Sequence, residues 1–186
     1  MNDAHRVVCA SPEWGEFLRT VVLPAALAGI DLGEDVLEIG PGPGLTTDVI
    51  RAAATTLTAV ELDADLATAL RARMHGTNVE VITASATDLP LSSERFSAAV
   101  SFTMLHHVPT AALQDAIFAE LARVIALGGV AVFSDSVGSD ALCDFHADDT
   151  YNPIDPSTLE SRLRIAGFAD VVVSVDDQRF VAHASR

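Results

Sequence analysis

The chain has 186 residues, 49% of them apolar and 20% charged, with a mean hydropathy of +0.34; that balance excludes intrinsic disorder and provides for one core but not two. Against 26 acidic residues stand 11 basic ones, a net charge of −15, and every basic residue is arginine. The absence of lysine excludes Schiff-base chemistry and a P-loop lysine. The arginines are scattered from Arg6 to Arg186 and offer no basic face, so no nucleic-acid partner is expected.

The longest apolar stretch, Val21 to Ile30, contains Pro24 and Gly29 and has about half the length of a membrane span, so no membrane association is expected. MNDAHRVV lacks the features of a secretory or import signal, which makes the cytoplasm the expected location. Cys9 and Cys143 are too few for a disulfide framework or a thiolate metal site, and two reduced thiols are expected.

Ser11-Pro12 starts a helix, with serine as N-cap and proline in the first turn, that runs through Phe17, Leu18, Val21 and Val22 until Pro24 bends or restarts it. DVLEI (Asp35 to Ile39) reads as a buried strand, and GPGPG turns it into a helix from about Leu45 to Ala54. LTAVE (Leu57 to Glu61) is a second strand; Asp63 caps a helix that Gly76 stops near His75. VEVIT (Val79 to Thr83) and SAAVSF (Ser97 to Phe102) are the third and fourth strands. A helix from Pro109 to about Ala126 follows, with Leu113, Ile117, Leu121 and Val124 on one face, and VAVFSD (Val130 to Asp135) is the fifth strand.

Ser136 to Asn152 reads as irregular and acidic, and Asp155-Pro156 opens a helix closed by Gly167. The strands ADVVVSV and RFVAHA are separated only by Asp176-Asp177-Gln178, too short a link for a parallel crossover, so they must form an antiparallel hairpin. Alternating strands and helices predict an α/β fold with helices on both faces of a parallel sheet.

The strongest chemical signal is VLEIGPGPG, Val36 to Gly44. Glycines at a strand-to-helix turn let the backbone approach a ligand, and the helix N-terminus that follows favours an anion. Glu61, at the end of the second strand, stands where a carboxylate accepts hydrogen bonds from ribose hydroxyls. A dinucleotide would want a third glycine where Leu45 stands, and Pro41 and Pro43 remove two N–H donors from a phosphate cradle. The bland alternative is a glycine turn serving strand–helix packing alone.

These residues resemble the class I S-adenosylmethionine-dependent methyltransferases, close to their small methyltransferase-domain group. The resemblance covers about Asp35 to Ala184 and rests on VLEIGPGPG, on VELD, on DLP-L leading through FSAAVS to MLHHV, on ARVIALGGVAVFSD and on RIAGFADVVV. It implies a Rossmann-like, doubly wound sheet of seven strands, mostly parallel with an antiparallel C-terminal strand. It implies one domain over 1–186, with 1–30 as a helical cover, 31–135 as the cofactor-binding half, and 136–186 as an acidic cover loop, helix and hairpin. Gly40, Gly42 and Gly44 would line the methionine part of S-adenosylmethionine, with Glu38 anchoring the loop or the cofactor's ammonium. Glu61 would hold the ribose, Leu62 would pack beside the adenine, and Phe102 and Thr103 would face the reacting end. Ser85, followed by Ala86, stands where the family commonly has an aspartate for the adenine amino group; a serine oxygen accepts the same bond without charge assistance. Ser97 also replaces a usual aspartate, and Asp88 is a misaligned substitute.

For a base the chain offers His106 and His107, past the fourth strand, against the plainer role of capping the helix at Pro109. His5, His146 and Tyr151 are weaker candidates, and Trp14 reads as an anchor of the first helix. Cys143, Asp144, His146 and Asp148 are potential metal ligands, but solvated acidic loops commonly have this composition, and no metal site is expected. The expected activity is methyl transfer to a small-molecule oxygen, nitrogen or carbon, in a monomer or homodimer. The alternatives are a non-catalytic binder of the cofactor, an RNA or protein methyltransferase, and an NAD(P)-dependent oxidoreductase.

Overall fold

A computed structural model describes residues 2–186. Helices α1 (Asp3–Cys9), α2 (Pro12–Phe17) and α3 (Leu23–Leu27) precede β1 (Asp35–Ile39), α4 (Thr47–Ala53), β2 (Thr56–Glu61), α5 (Ala64–Arg73), β3 (Val79–Thr83) and β4 (Phe96–Phe102). A 3₁₀ turn, Leu105–His107, leads into α6 (Ala111–Val124) and β5 (Ile125–Ser136). The chain continues with α7 (Asp140–Phe145), α8 (Pro156–Ala166), β6 (Val171–Val175) and β7 (Arg179–Ser185). Among the described residues no helix is long and apolar enough to cross a membrane.

The sheet has seven strands in the order β3-β2-β1-β4-β5-β7-β6. The first five are parallel, and β7 inserts antiparallel between β5 and β6. The three-residue link 176–178 forces that hairpin, as its length requires. The order reverses between β1 and β4, whose C-terminal ends open the crevice where ligands bind in doubly wound folds.

Helices cover both faces because β1 alternates. Leu37 and Ile39 join the core under α6 and α8, with Phe96, Phe118, Phe133 and Phe180, while Val36 faces Leu18, Val22, Ala26 and Ile50 on the other side. The same period of two sends Glu38 to the α4 face rather than into the crevice.

The first helix runs until Pro24 restarts it, as expected: Leu18–Val22 widen into a π turn in which the Leu23 N–H reaches back to Leu18 O, and Pro24 falls in the first turn of α3, where its missing donor costs nothing. Two local features depart from expectation. Within the segment read as irregular, Ser139 caps α7 by accepting from the Leu142 N–H. Helix α1 lies in the 1–30 segment expected to be a helical cover, but the sequence shows no separate boundary for it; Asn2 caps it by accepting from the His5 N–H, and the Asn2 side chain also donates to Phe145 O and Ala147 O.

Phe133 is fully buried and meets Phe118 edge-on at 5.4 Å. Phe133→Ala should therefore cost about 3–5 kcal/mol in urea denaturation, the range for a buried aromatic that leaves a cavity.

Candidate cofactor and acceptor site

The C-terminal ends of β1, β2 and β4 border a cavity of about 510 Å³, within the range of small-molecule sites. One wall is the turn after β1. The Gly40 N–H donates to Val60 O at 2.9 Å and the Gly44 N–H to Pro41 O at 2.8 Å, so the loop is tied to β2 and closed on itself although its prolines donate nothing. Gly42 has φ +54°, and a Cβ there would meet no atom within 4 Å; this bare backbone faces the cavity. Gly40 is needed for a different reason, since its Cβ would lie 2.2 Å from Met104 Cγ.

Glu61 is the second wall, buried at 8% exposure. Its Oε2 accepts from the Gly42 N–H and its Oε1 from the Asp63 N–H, both at 2.9 Å. Each oxygen keeps a further lone pair, so the carboxylate is pinned in place and can still accept from a diol. Leu62, Ser85, Ala86, Phe102 and Thr103 also line the cavity, and Leu62 is 72% exposed, an apolar surface open to a flat ring. The Ser85 hydroxyl is 2.7 Å from Thr87 Oγ1. Thr103 has φ +52°, a strained conformation for a β-branched residue at the end of the switch-point strand, of the kind concentrated at functional sites.

Two predicted residues lie behind the wall. Glu38 is buried and accepts from the Thr46 and Thr47 hydroxyls at 2.5 and 2.6 Å, anchoring the start of α4. Gly44 packs against α5, where a Cβ would come within 2.4 Å of Leu70 and Arg73. Ser97 sits at the opposite end of its strand and donates to Leu32 O and Asp35 O. Sequence reasoning missed Arg73, whose guanidinium donates to Pro43 O, Gly44 O and Asp48 and so braces the glycine loop from the next helix. Nothing in an arginine in the last turn of a helix marks such a role.

At the far end stand the histidines. His107 lines the cavity beside Met104 and Thr150. His106 is buried behind it, with Nδ1 2.6 Å from Asp135 Oδ1 and its backbone N–H donating to Asp135 Oδ2 at 3.1 Å. His5 and His146 approach from α1 and the end of α7: the rings of His5 and His107 are 4.7 Å apart and those of His106 and His146 5.1 Å. Burial, then the neighbouring imidazoles, lower His5 to about 4 and His107 to about 3, so both are neutral at pH 7. The expected absence of a metal site considered Cys143, Asp144, His146 and Asp148 as one run. In space His146 instead joins His5, His106 and His107, the one group of three or more possible metal ligands among the described residues. No sequence pattern joins positions 5, 106, 107 and 146. Trp14 packs on Phe17 at 5.4 Å and also borders the cavity.

A Rossmann-like sheet with a bare glycine turn at β1 and a pinned acid at the end of β2 defines a class of nucleoside-binding protein, and the donor-poor loop favours an adenosyl ligand without phosphate. The sequence profile of a family described as "Methyltransferase domain" matches residues 36–129, and the chain belongs to that family. Its cofactor is S-adenosylmethionine, and the residues present fit it: open space over Gly42, two free lone pairs on Glu61 and an apolar shelf at Leu62.

Solved structures share the fold at low identity. The PH0226 protein of Pyrococcus horikoshii is 14% identical, with 95% of this chain and 93% of that one covered and a TM-score of 0.80. An S-adenosylmethionine-dependent methyltransferase of Archaeoglobus fulgidus is 15% identical over 92% and 94% of the two chains, with a TM-score of 0.76. A phosphoethanolamine N-methyltransferase 2 of Haemonchus contortus, in complex with S-adenosyl-L-methionine, is 13% identical over 93% of this chain and 52% of that one, at 0.74. No curated protein sequence matches significantly.

Two measurements check this geometry. Glu61→Ala should weaken S-adenosylmethionine binding by about 1–3 kcal/mol in calorimetry, since it removes a cavity-lining carboxylate acceptor and frees two loop N–H groups; an unchanged affinity would take Glu61 out of the site. Burial raises the Glu38 carboxyl from 4.5 to about 7. Its stabilising contribution is full below pH 4.5 and is lost as the pH rises through 7, at up to about 1.4 kcal/mol per pH unit. Denaturation curves for Glu38→Gln should lack that slope.

Proposed function

We propose that the chain methylates a small-molecule acceptor at oxygen, nitrogen or carbon, in the cytoplasm, where its two free thiols stay reduced. The observation that carries this reading is that the glycine turn, Glu61 and His107 border one and the same cavity. The acceptor then sits between Thr103 and His107. Helices α1 and α2 contribute Arg6, Cys9 and Trp14 to the walls, and the segment after α7 contributes Asp149 and Thr150. We read residues 1–30 and 136–155 as the cover that selects the acceptor. The Haemonchus neighbour named above is a methyltransferase of a small amine ester, which supports the acceptor class.

When bound, S-adenosylmethionine supplies an electrophilic methyl group on a sulfonium, so the donor is already activated. The protein's part is positioning. Gly40, Gly42 and Leu62 seat the cofactor, Glu61 holds the ribose, and Thr103 sets the reacting end against the acceptor. The buried walls exclude water. His107, which lines the cavity, is the residue that meets the acceptor's reacting atom and can take its proton; His106, expected from the sequence to share that role, is buried behind it against Asp135 and can only position it. A non-catalytic binder would keep the first half of this arrangement and lose the second.

Calorimetry should show binding of S-adenosylmethionine and its demethylated product and none of NAD; binding of NAD alone would overturn the reading. Against a panel of phenols, amines and carboxylates, His107→Ala should lower kcat by about 100-fold or more with cofactor affinity within about twofold of the parent. Intact cofactor binding with no turnover across the panel would favour the non-catalytic alternative.

A further inference from the structure

Four of the chain's six histidines come from three separate stretches and surround one point. One ring nitrogen of each lies within 4.8 Å of one ring nitrogen of every other. The six separations between ring centroids run from 4.1 to 6.3 Å. His5, His106 and His146 are buried and His107 is half-buried. Four imidazole rings packed this closely bring their ring nitrogens together in a space largely closed to water.

The outer side of the cluster is ordered. His106 Nδ1 is 2.6 Å from Asp135 Oδ1, His107 Nδ1 3.2 Å from Thr150 O, and His146 Nδ1 2.6 Å from Leu142 O. An acceptor at Nδ1 places the proton there and leaves Nε2 as a bare lone pair. An acid or a carbonyl behind the far nitrogen is the arrangement that orients imidazoles on metals. His5 Nδ1 lies 3.4 Å from Asp149 Oδ2. His146 Nε2 is fully buried and has no hydrogen-bond partner. The group therefore holds ring nitrogens within 4.8 Å of one another, outward partners for Nδ1 on three of the rings, and an orphaned buried nitrogen on His146.

We propose that His5, His106, His107 and His146 bind one divalent transition-metal ion of the class that prefers imidazole, such as zinc or cobalt. Tetrahedral ligation at about 2.0–2.1 Å needs nitrogens roughly 3.4 Å apart, inside the span observed. An all-nitrogen set does not suit magnesium or calcium, which take oxygen ligands. The ion cross-links α1, the turn after β4 and the end of α7. Helix α1 and the end of α7 also meet through Asn2, which donates from its backbone to Asp149 and from its side chain to Phe145 O and Ala147 O, and the turn after β4 meets the following segment through the Asn152 N–H, which donates to His106 O. Because His107 also lines the cavity, the ion sits beside the acceptor; only that consequence rests on the methyl-transfer reading, and the site itself does not.

The test uses the full chain, purified without a polyhistidine tag, stripped with a chelator and titrated with Zn²⁺ and Co²⁺ by calorimetry and visible absorption. One ion per chain is expected, with a sub-micromolar Zn²⁺ Kd, Co²⁺ ligand-field bands and a raised melting temperature. His146→Ala and His5→Ala should each weaken Zn²⁺ binding by at least about 100-fold while S-adenosylmethionine affinity stays within about twofold; His75→Ala, on the surface, should change neither. Asp135→Asn leaves all four rings in place and should weaken Zn²⁺ by about 10–100-fold, which keeps the question decidable if a histidine variant does not fold. No stoichiometric uptake by the parent chain, or parental Zn²⁺ affinity in these variants, overturns the proposal. Metal binding without S-adenosylmethionine binding would overturn the methyl-transfer reading alone.

Discussion

The Glu61 carboxylate accepts one backbone N–H from the loop after β1 and one from the loop after β2, and the cofactor half is organised around those two bonds. The Gly42 bond holds a loop that its two prolines leave short of donors, and the Asp63 bond fixes the point at which β2 gives way to α5. Asp63 then caps α5 with its own side chain, and Arg73 at the far end of that helix returns to the carbonyls of Pro43 and Gly44. The circuit closes on itself: strand, loop, acid, helix and arginine each restrain the next. A ligand meeting this wall encounters groups already in place, and pre-organisation of that kind reduces the ordering cost of binding.

The opposite end of the cavity is built differently. No single strand supplies it. The short turn at Leu105–His107 is clamped from below by Asp135 and from the side by Asn152, whose N–H donates to His106 O at 2.7 Å, and by Gln114, which donates to Leu105 O and Asn152 O. Onto this base the two cover segments bring His5 and His146. On the proposed reading, strand ends would carry the cofactor contacts and the added segments the acceptor contacts, a division that lets one fold serve many acceptors. An ion among the four imidazoles would tie the cover to the frame without any apolar interface.

The elements were legible wherever local chemistry decides them. Asp63, Asp155 and Ser11 each cap the helix that their side chains predict, and Gly167 ends α8 in the left-handed conformation, at φ +113°. Where the local pattern was weak, reading failed: α1 is seven residues capped by a contact network to Phe145 and Ala147, and α7 lies in a segment too polar to show a buried stripe. Spacing places Leu113 on one face of α6 with Ile117, Leu121 and Val124, and while those three are buried Leu113 is 40% exposed and borders the cavity, because spacing defines a face and not what covers it.

By itself the sequence determined the alternation of strands and helices, the antiparallel hairpin forced by a three-residue link, the bare glycine turn and the acid at the end of β2. These follow from backbone conformation and residue spacing, which act over a few neighbours. Only the tertiary structure decided that Glu38 faces α4 instead of the ligand, that Arg73 braces the loop from 29 residues away, and that histidines 141 positions apart meet. Such contacts depend on how elements are stacked and on which side chains burial leaves without water, and a linear pattern carries neither.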